Sequence, residues 1–190
     1  MKATLFAALL SLGSTAFAGS MLTVSPSSST ASIGSAVSID IDVTDLASDV
    51  SVGVFDFEVA FDPTVLSFSS SIFGSQLDIF GLGSVQSITA VGSGRVGVFE
   101  LSLDSVDDLN SLQLPAFRLV TLTFDAIAAG SSALTLSVNA IGDASGNPIA
   151  AEVLGASVLV AGVVPEPSTY ALMLAGLGFG VAARRVRLLA

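Results

Sequence analysis

Residues 52–68 read VGVFDFEVAFDPTVLSF, and this stretch decides the fold. Between residues 55 and 61, hydrophobic side chains occupy every second position and alternate with acidic or small ones. Successive side chains of a β-strand point to opposite faces of a sheet, so the pattern predicts a strand with one buried and one solvated face. The Asp62-Pro63 step then predicts a turn, which a short helical turn could follow because proline fixes a helix-compatible φ.

The same alternation recurs along the middle of the chain. It is found at residues 37–43, 119–124 and 134–138, and in a last, partly two-sided strand at 153–160. Glycine-rich turn signals separate these segments, and no convincing amphipathic helix lies among them. About eight or nine short strands of this kind predict an all-β fold, a two-sheet antiparallel β-sandwich. The serine-rich residues 25–35 are predicted to form an edge strand and a loop.

The composition excludes several classes of function. The 190 residues include no His, Cys or Trp, so a Ser-His-Asp triad, a cysteine nucleophile and a disulfide framework are all absent. With 6 basic and 16 acidic residues, the net charge is −10, which argues against nucleic-acid binding because phosphates need Lys and Arg. We therefore predict a protein that is not an enzyme and has no cofactor.

Three segments of the middle region resemble the cohesin family. Residues 52–68 show a strand that ends in an aromatic-Asp-Pro step, with a leucine and a second strand after it. Residues 119–124 (LVTLTF) and 141–149 (IGDASGNPI) follow in the order typical of that family. The resemblance covers about residues 22–161 and implies a jelly-roll sandwich, a fold shared with bacterial carbohydrate-binding modules. We place the domain at residues 20–164, with no residue matched to a dockerin contact.

The N-terminus has the features of a secretory signal peptide at residues 1–18. Lys2 supplies a positive charge, and the apolar residues 3–12 are too few to span a bilayer. The small residues Ala16 and Ala18 predict cleavage before Gly19. A buried N-terminal helix is the alternative.

The C-terminus resembles the PEP-CTERM sorting signal. The sequence runs from Pro165, Glu166 and Pro167 through an apolar stretch at 170–183 to a basic cluster. That cluster consists of Arg184, Arg185 and Arg187. We predict a single transmembrane helix at about 168–183, with the arginines cytoplasmic. The resemblance, over residues 165–190, implies an exosortase-like processing enzyme as partner and a Gram-negative host that secretes exopolysaccharide.

Two carboxylate pairs are the candidate sites of the domain. Asp40 and Asp42 share one face of a predicted strand, as do Asp56 and Glu58, because residues two apart lie on the same face. A solvated acidic surface is the favoured interpretation. Calcium binding is one alternative, since extracellular modules bind Ca²⁺ through carboxylates, and a glycosidase acid–base pair is another.

Two further acidic segments are predicted to be structural. One is a loop with Asp104, Asp107 and Asp108, and the other is a turn at residues 142–148 that lacks the glycine and glutamate of an EF-hand. Residues 92–97 match G-x-G-x-x-G, but a strand pattern follows, so we predict a hairpin. Most of the nine phenylalanines between residues 55 and 124 are expected in the core.

Together these features predict a secreted, non-enzymatic surface or matrix protein associated with exopolysaccharide. The alternative is a binding module for polysaccharide or for a dockerin-like protein, with or without calcium. Before processing, the C-terminal helix would hold the chain at the inner membrane, with the domain outside.

Overall fold

Eleven β-strands form two facing sheets in the computed structural model, which describes residues 19–91 and 94–162. The strands are β1 (Ser20–Pro26), β2 (Thr30–Ser32), β3 (Ala36–Thr44), β4 (Val52–Ala60), β5 (Leu66–Phe73), β6 (Ser84–Val91), β7 (Arg95–Ser102), β8 (Phe117–Ala126), β9 (Gly130–Asp143), β10 (Ala151–Leu154) and β11 (Ala156–Ala161). One short helix, α1 (Val106–Leu112), lies between β7 and β8.

The strand order is β10-β1-β3-β8-β5 in the five-stranded sheet and β2-β11-β9-β4-β7-β6 in the six-stranded sheet. The all-β two-sheet sandwich predicted from the alternation is therefore confirmed. Most neighbouring strands are antiparallel, whereas β1 pairs with β10, and β11 with β2, in parallel. Both parallel pairs involve an edge strand, so the prediction of wholly antiparallel sheets was wrong only at the edges.

The predicted alternation also identifies the core. On β3, Val37, Ile39, Ile41 and Val43 are all buried, and the side chains between them are partly exposed. On β4, Phe55 stacks on Phe57 with ring centroids 5.0 Å apart. Burial of these apolar side chains supplies the main stabilisation of a sandwich that has no disulfides.

The segment predicted as one last strand is divided between the two sheets. β10 pairs with β1 in the five-stranded sheet, and β11 pairs with β9 in the six-stranded sheet. Gly155 separates them, and a Cβ there would lie only 2.8 Å from the carbonyl oxygen of Leu134. The absence of a side chain lets the chain pass close to β9 as it changes sheets.

The helix α1 was not predicted from the sequence. Its N-cap is Ser105, whose side chain accepts a hydrogen bond from the backbone of Asp108, and Leu109 is its buried residue. Seven residues make fewer than two full turns, so no 3.6-residue period is visible in the sequence. In residues 19–91 and 94–162, no helix has the length and hydrophobicity to cross a membrane. The predicted signal peptide and membrane helix lie outside this range.

Two local predictions are confirmed. The hairpin predicted at the glycine motif is present, because β6 pairs with β7 in antiparallel fashion up to Val91 and Arg95; residues 92 and 93 lie outside the described residues. The serine-rich segment contributes the end of β1, a loop and the three-residue edge strand β2. After Asp62-Pro63 the chain makes a single turn, in which the Val65 and Leu66 amides donate to the Asp62 carbonyl oxygen.

Candidate functional site

A groove of about 470 Å³ opens on the outer face of the six-stranded sheet. It lies over β4, β7, β6 and the adjoining part of β9. Its lining combines acidic, hydroxyl and amide groups with one aromatic ring and a glycine: Asp56, Glu58, Ser87, Thr89, Gly97, Val98, Phe99 and Asn139. We call this feature the groove.

Gly97 leaves open the middle of the groove. It pairs with Glu58 on β4 and Thr89 on β6, so a side chain at this position would share their outer face. A Cβ at Gly97 would lie 3.6 Å from the carbonyl oxygen of Thr89 and 3.7 Å from its Cβ, which is ordinary van der Waals contact. The position therefore tolerates a side chain, and the space above it is available to a ligand.

The carboxylates of the groove are bonded to its rim. Asn139 donates a hydrogen bond to Asp56 at 3.1 Å, and Arg95 forms a salt bridge with Glu58, also at 3.1 Å. A register shift between β4 and β9 at residues 56 and 57 inserts the extra residue Asn139 beside Asp56. The groove thus presents oriented acceptors, hydroxyls and an amide, which suit hydrogen bonding to a ligand.

The other predicted pair, Asp40 and Asp42, lies on the opposite side of the molecule. These residues are on the outer face of the five-stranded sheet, where Arg118 bonds to Asp40 at 2.7 Å and to Asp42 at 3.2 Å. Thr121 donates a further hydrogen bond to Asp40 at 2.7 Å. The structure therefore keeps the two carboxylate pairs apart and gives one pair a shared cation.

The remaining acidic segments have structural partners. Asp107 and Asp108 lie in the first turn of α1, where negative charge is favourable, and Asp143 accepts backbone hydrogen bonds from Ser145 and Asn147. The prediction of a loop at Asp104–Asp108 was wrong at its C-terminal half, which is helical. Within the described residues, no three carboxylates converge closely enough to hold a metal ion.

Hydrogen bonding lowers the pKa of two partly exposed carboxyl groups. Bonds from the Asn147 side chain and backbone lower the pKa of Asp143. Bonds from Thr64 likewise lower the pKa of Asp62, and the Thr64 hydroxyl lies 2.6 Å from the carboxylate. Both carboxylates stabilise turns, the roles predicted for these segments.

A buried carboxyl group, Glu100, was missed by sequence reasoning. It lies on the inner face of β7 with no solvent exposure, next to the buried Val98. Ser84 and Gln86 donate hydrogen bonds to its Oε1 atom at 2.6 and 2.9 Å, whereas Oε2 has no partner. Burial raises the pKa of Glu100, the two hydrogen bonds oppose this rise, and nearby Asp78 adds to it.

The sequence could have identified Glu100 only through the choice of which alternate residues of β7 face inward. Residues 95–103 allow either Val96, Val98 and Glu100 or the alternate positions to face inward. Pairing of Val98 with the buried Phe57 selects the first phase. It also places Phe99 on the outer face, in the groove, so this aromatic ring is an exception to the predicted core location. Phe80, in the loop after β5, is a second exception and is 53% exposed.

Comparison with known proteins identifies similarities for the two parts of the chain separately. Residues 163–187 match the PEP-CTERM protein-sorting motif. This motif is the mark of a secreted protein that an exosortase processes, and it indicates an extracellular or cell-surface protein. No curated protein sequence matches the chain significantly.

The sandwich is similar to cohesin domains of known structure. The seventh ScaB type I cohesin of Pseudobacteroides cellulosolvens superposes with a TM-score of 0.62 at 19% identity, covering 78% of this chain and 96% of the cohesin. A non-cellulosomal cohesin of Archaeoglobus fulgidus has a TM-score of 0.58 at 17% identity, over 80% and 96%. A type I cohesin–dockerin complex of Clostridium thermocellum gives 0.62 at 13% identity, over 75% and 99%. The predicted cohesin-like fold is thereby confirmed.

Proposed function

We propose that this protein is a non-enzymatic binding module that is exported, held at the membrane by its C-terminal segment and then processed by an exosortase-like enzyme. The observation that supports it is the combination of a sorting motif at residues 163–187 with a cohesin-like sandwich that carries an open groove. The mature domain would act on the outer surface or in the extracellular matrix, in association with exopolysaccharide.

A protein partner is the first candidate ligand. One of the similar solved structures is a cohesin bound to a dockerin, which is a protein. The groove lies on the outer sheet face, and on the same face of β7 Phe99 is partly buried and Leu101 is 38% exposed. An aromatic ring surrounded by hydrogen-bonding groups is typical of protein-binding surfaces.

Polysaccharide is the second candidate ligand. Ser87, Thr89 and Asn139 offer hydroxyl and amide groups to sugar hydroxyls, and Asp56 and Glu58 offer acceptors. Sugar-stacking platforms usually use Trp or Tyr, and the groove has Phe99 instead. A sugar would therefore bind mainly through hydrogen bonds. If calcium assists, Asp56 and Glu58 are the groove carboxylates that could contact it.

The groove can be tested by filling it. We expect Gly97→Leu to abolish capture of a partner from the host's extracellular fraction or of its exopolysaccharide, because the Cβ fits without a backbone clash and the rest of the side chain extends from the outer face into the groove. Thr123→Leu, on the outer face of the five-stranded sheet, is the matched control and should bind normally. Each pull-down is run with calcium and with a chelator. Equal binding by both variants would place the binding surface elsewhere.

Processing is tested by the intact mass of the protein recovered from its host. We expect a mature chain that begins near Gly19 and lacks residues 170–190. Replacement of Pro165, Glu166 and Pro167 by alanine should leave the tail attached. A wild-type chain that retains Ala190 outside the cell would contradict exosortase processing, whatever the result of the binding experiment.

A further inference from the structure

The last strand of the sandwich ends almost at the sorting motif. β11 ends at Ala161, and the motif begins at residue 163. The predicted membrane segment begins near Ser168, so only six residues separate it from β11. Fully extended, the seven residue steps from Ala161 to Ser168 span at most about 25 Å. The domain would thus be tethered closely to the membrane.

Strand register identifies the end of the sandwich at which this tether leaves. Val160 pairs with Gly130 at the start of β9. At the same end, the Asp62 amide donates to the Ser132 hydroxyl at 2.9 Å, and the Ile127 amide donates to the Val65 carbonyl oxygen at 2.9 Å. We call this the exit end, and it also contains the Asp62–Val65 turn, residues 127–129 and Gly94, whose carbonyl oxygen accepts a hydrogen bond from the Phe61 amide. The opposite end, which we call the far end, contains the segments 45–51, 74–83, 103–116 and 144–150.

The two ends differ in charge. The exit end carries Asp62, Asp125 and Arg95. Both ends expose large apolar side chains, among them Ile127 at the exit end and Leu82 at the far end, so the difference between the ends is one of charge. The far end and the strand termini beside it carry eight acidic residues that are not fully buried. They are Asp45, Asp49, Asp78, Asp104, Asp107, Asp108, Asp143 and Glu152. Arg118, the second residue of β8, also lies beside the far end, and its charge is bonded to Asp40 and Asp42.

The tether is shorter than the sandwich. A nine-residue strand such as β4 is about 30 Å long, so the chain leaving the exit end cannot run back along the domain and still reach the bilayer. The far end therefore cannot face the membrane while the segment near Ser168 is inserted. A domain lying on its side remains sterically allowed, but anionic lipid headgroups repel the acidic far end across a Debye length of about 8–10 Å.

We propose that, while the sorting signal is attached, the sandwich stands on an anionic lipid surface on its exit end, with the acidic far end directed outward. This inference rests on the proposed function, because it requires the C-terminal segment to be in the membrane. The strands then run roughly along the membrane normal, and the groove opens sideways. A partner can enter the groove before the tail is removed.

The orientation can be measured because the chain has no cysteine of its own. Ala129→Cys places a fluorescent label at the exit end, and Ser145→Cys places the same label at the far end, both at exposed positions. The full chain is exported in cells, purified from membranes and reconstituted in phosphatidylethanolamine–phosphatidylglycerol vesicles that contain a headgroup-attached nitroxide quencher. We expect quenching at residue 129 to be several-fold stronger than at residue 145.

A linker variant supplies the internal control. A Gly-Ser insertion of about 20 residues between Gly162 and Val163 has a root-mean-square span of about 25 Å and a far longer maximum reach, so it should weaken quenching at residue 129 and reduce the difference. Equal quenching of both labels at native length would overturn the proposed orientation. Vesicle flotation separates this from failure of the proposed function: a chain that does not float with the vesicles has no membrane anchor.

Discussion

The outer faces of the two sheets carry the same sequence feature in different surroundings. Each has two acidic residues two positions apart on one strand, Asp40 and Asp42 on β3 and Asp56 and Glu58 on β4. On the five-stranded sheet, the neighbouring strand supplies Arg118, which bonds to both carboxylates. On the six-stranded sheet, the neighbouring strand has Gly97 opposite Glu58, which leaves the groove. The neighbouring strand therefore decides whether such a pair is a structural ion cluster or part of a concave surface.

The largest difference in stability is expected between two alanine substitutions, one at Gly74, directly after β5, and one at Gly97, within β7. A Cβ at Gly74 would lie 1.9 Å from the carbonyl oxygen of Arg118, so Gly74→Ala forces the backbone of β8 to move. We expect a loss of about 3 kcal/mol in the free energy of unfolding, at the upper end of typical overpacking costs. Gly97→Ala should be neutral or stabilise by up to about 1 kcal/mol, because alanine restricts the unfolded chain.

Chemical denaturation of both variants measures these differences directly. Comparable destabilisation by the two substitutions would mean that the space at Gly97 is not open. In that case, the explanation for loss of binding by Gly97→Leu would be a damaged sheet.

The next largest effect is expected behind the groove, at Glu100. Because the folded-state pKa is raised, the folded chain holds this proton above the pH at which the unfolded chain releases it. Stability should therefore fall as the pH rises from the usual pKa of a glutamate through the raised value, and it should then level off. We expect Glu100→Gln to remove this fall and to be more stable by about 1 kcal/mol above the raised pKa, since it carries no unpaired buried charge.

Urea denaturation between pH 4 and pH 8 is the measurement. Phe99, the neighbouring residue on the outer face, provides the control: Phe99→Leu should keep the wild-type pH dependence. A parallel pH profile for the wild type and Glu100→Gln would show that Glu100 does not titrate differently in the folded chain.

The smallest effects are expected from the surface arginines. Arg118→Met leaves Asp40 and Asp42 without their shared cation, and we expect a loss of up to about 1 kcal/mol that decreases with added salt. Arg95→Met removes one bond, between an arginine side chain that is 59% exposed and Glu58, and should change stability by less than about 0.5 kcal/mol. Thermal unfolding at low and high salt distinguishes them; an equal, salt-independent change in both variants would contradict the difference in pairing.

Much of the fold could be predicted because strand alternation is a local property. The inward positions of β3 and the first part of β4 follow from the hydrophobic residues themselves, and the Asp62-Pro63 turn follows from restricted backbone angles. The helix α1 was not predictable by period, since it has seven residues. Of the groove, Asp56 and Glu58 were identified on one face, but Gly97, Phe99 and Asn139 were not.

The sequence by itself therefore determined two sheets, their main core faces, the sorting motif and the absence of His and Cys chemistry. Only the tertiary structure decided that Glu100 points inward, that the chain changes sheets at Gly155 and that Asn139 lies beside Asp56. The physical reason is that these features depend on register between strands far apart in sequence, such as β4 and β9. A shift of one residue in a strand register exchanges the buried and exposed faces of the strand. In β7 the residue pattern fits either face, so its pairing with β4 decides which side chains are buried.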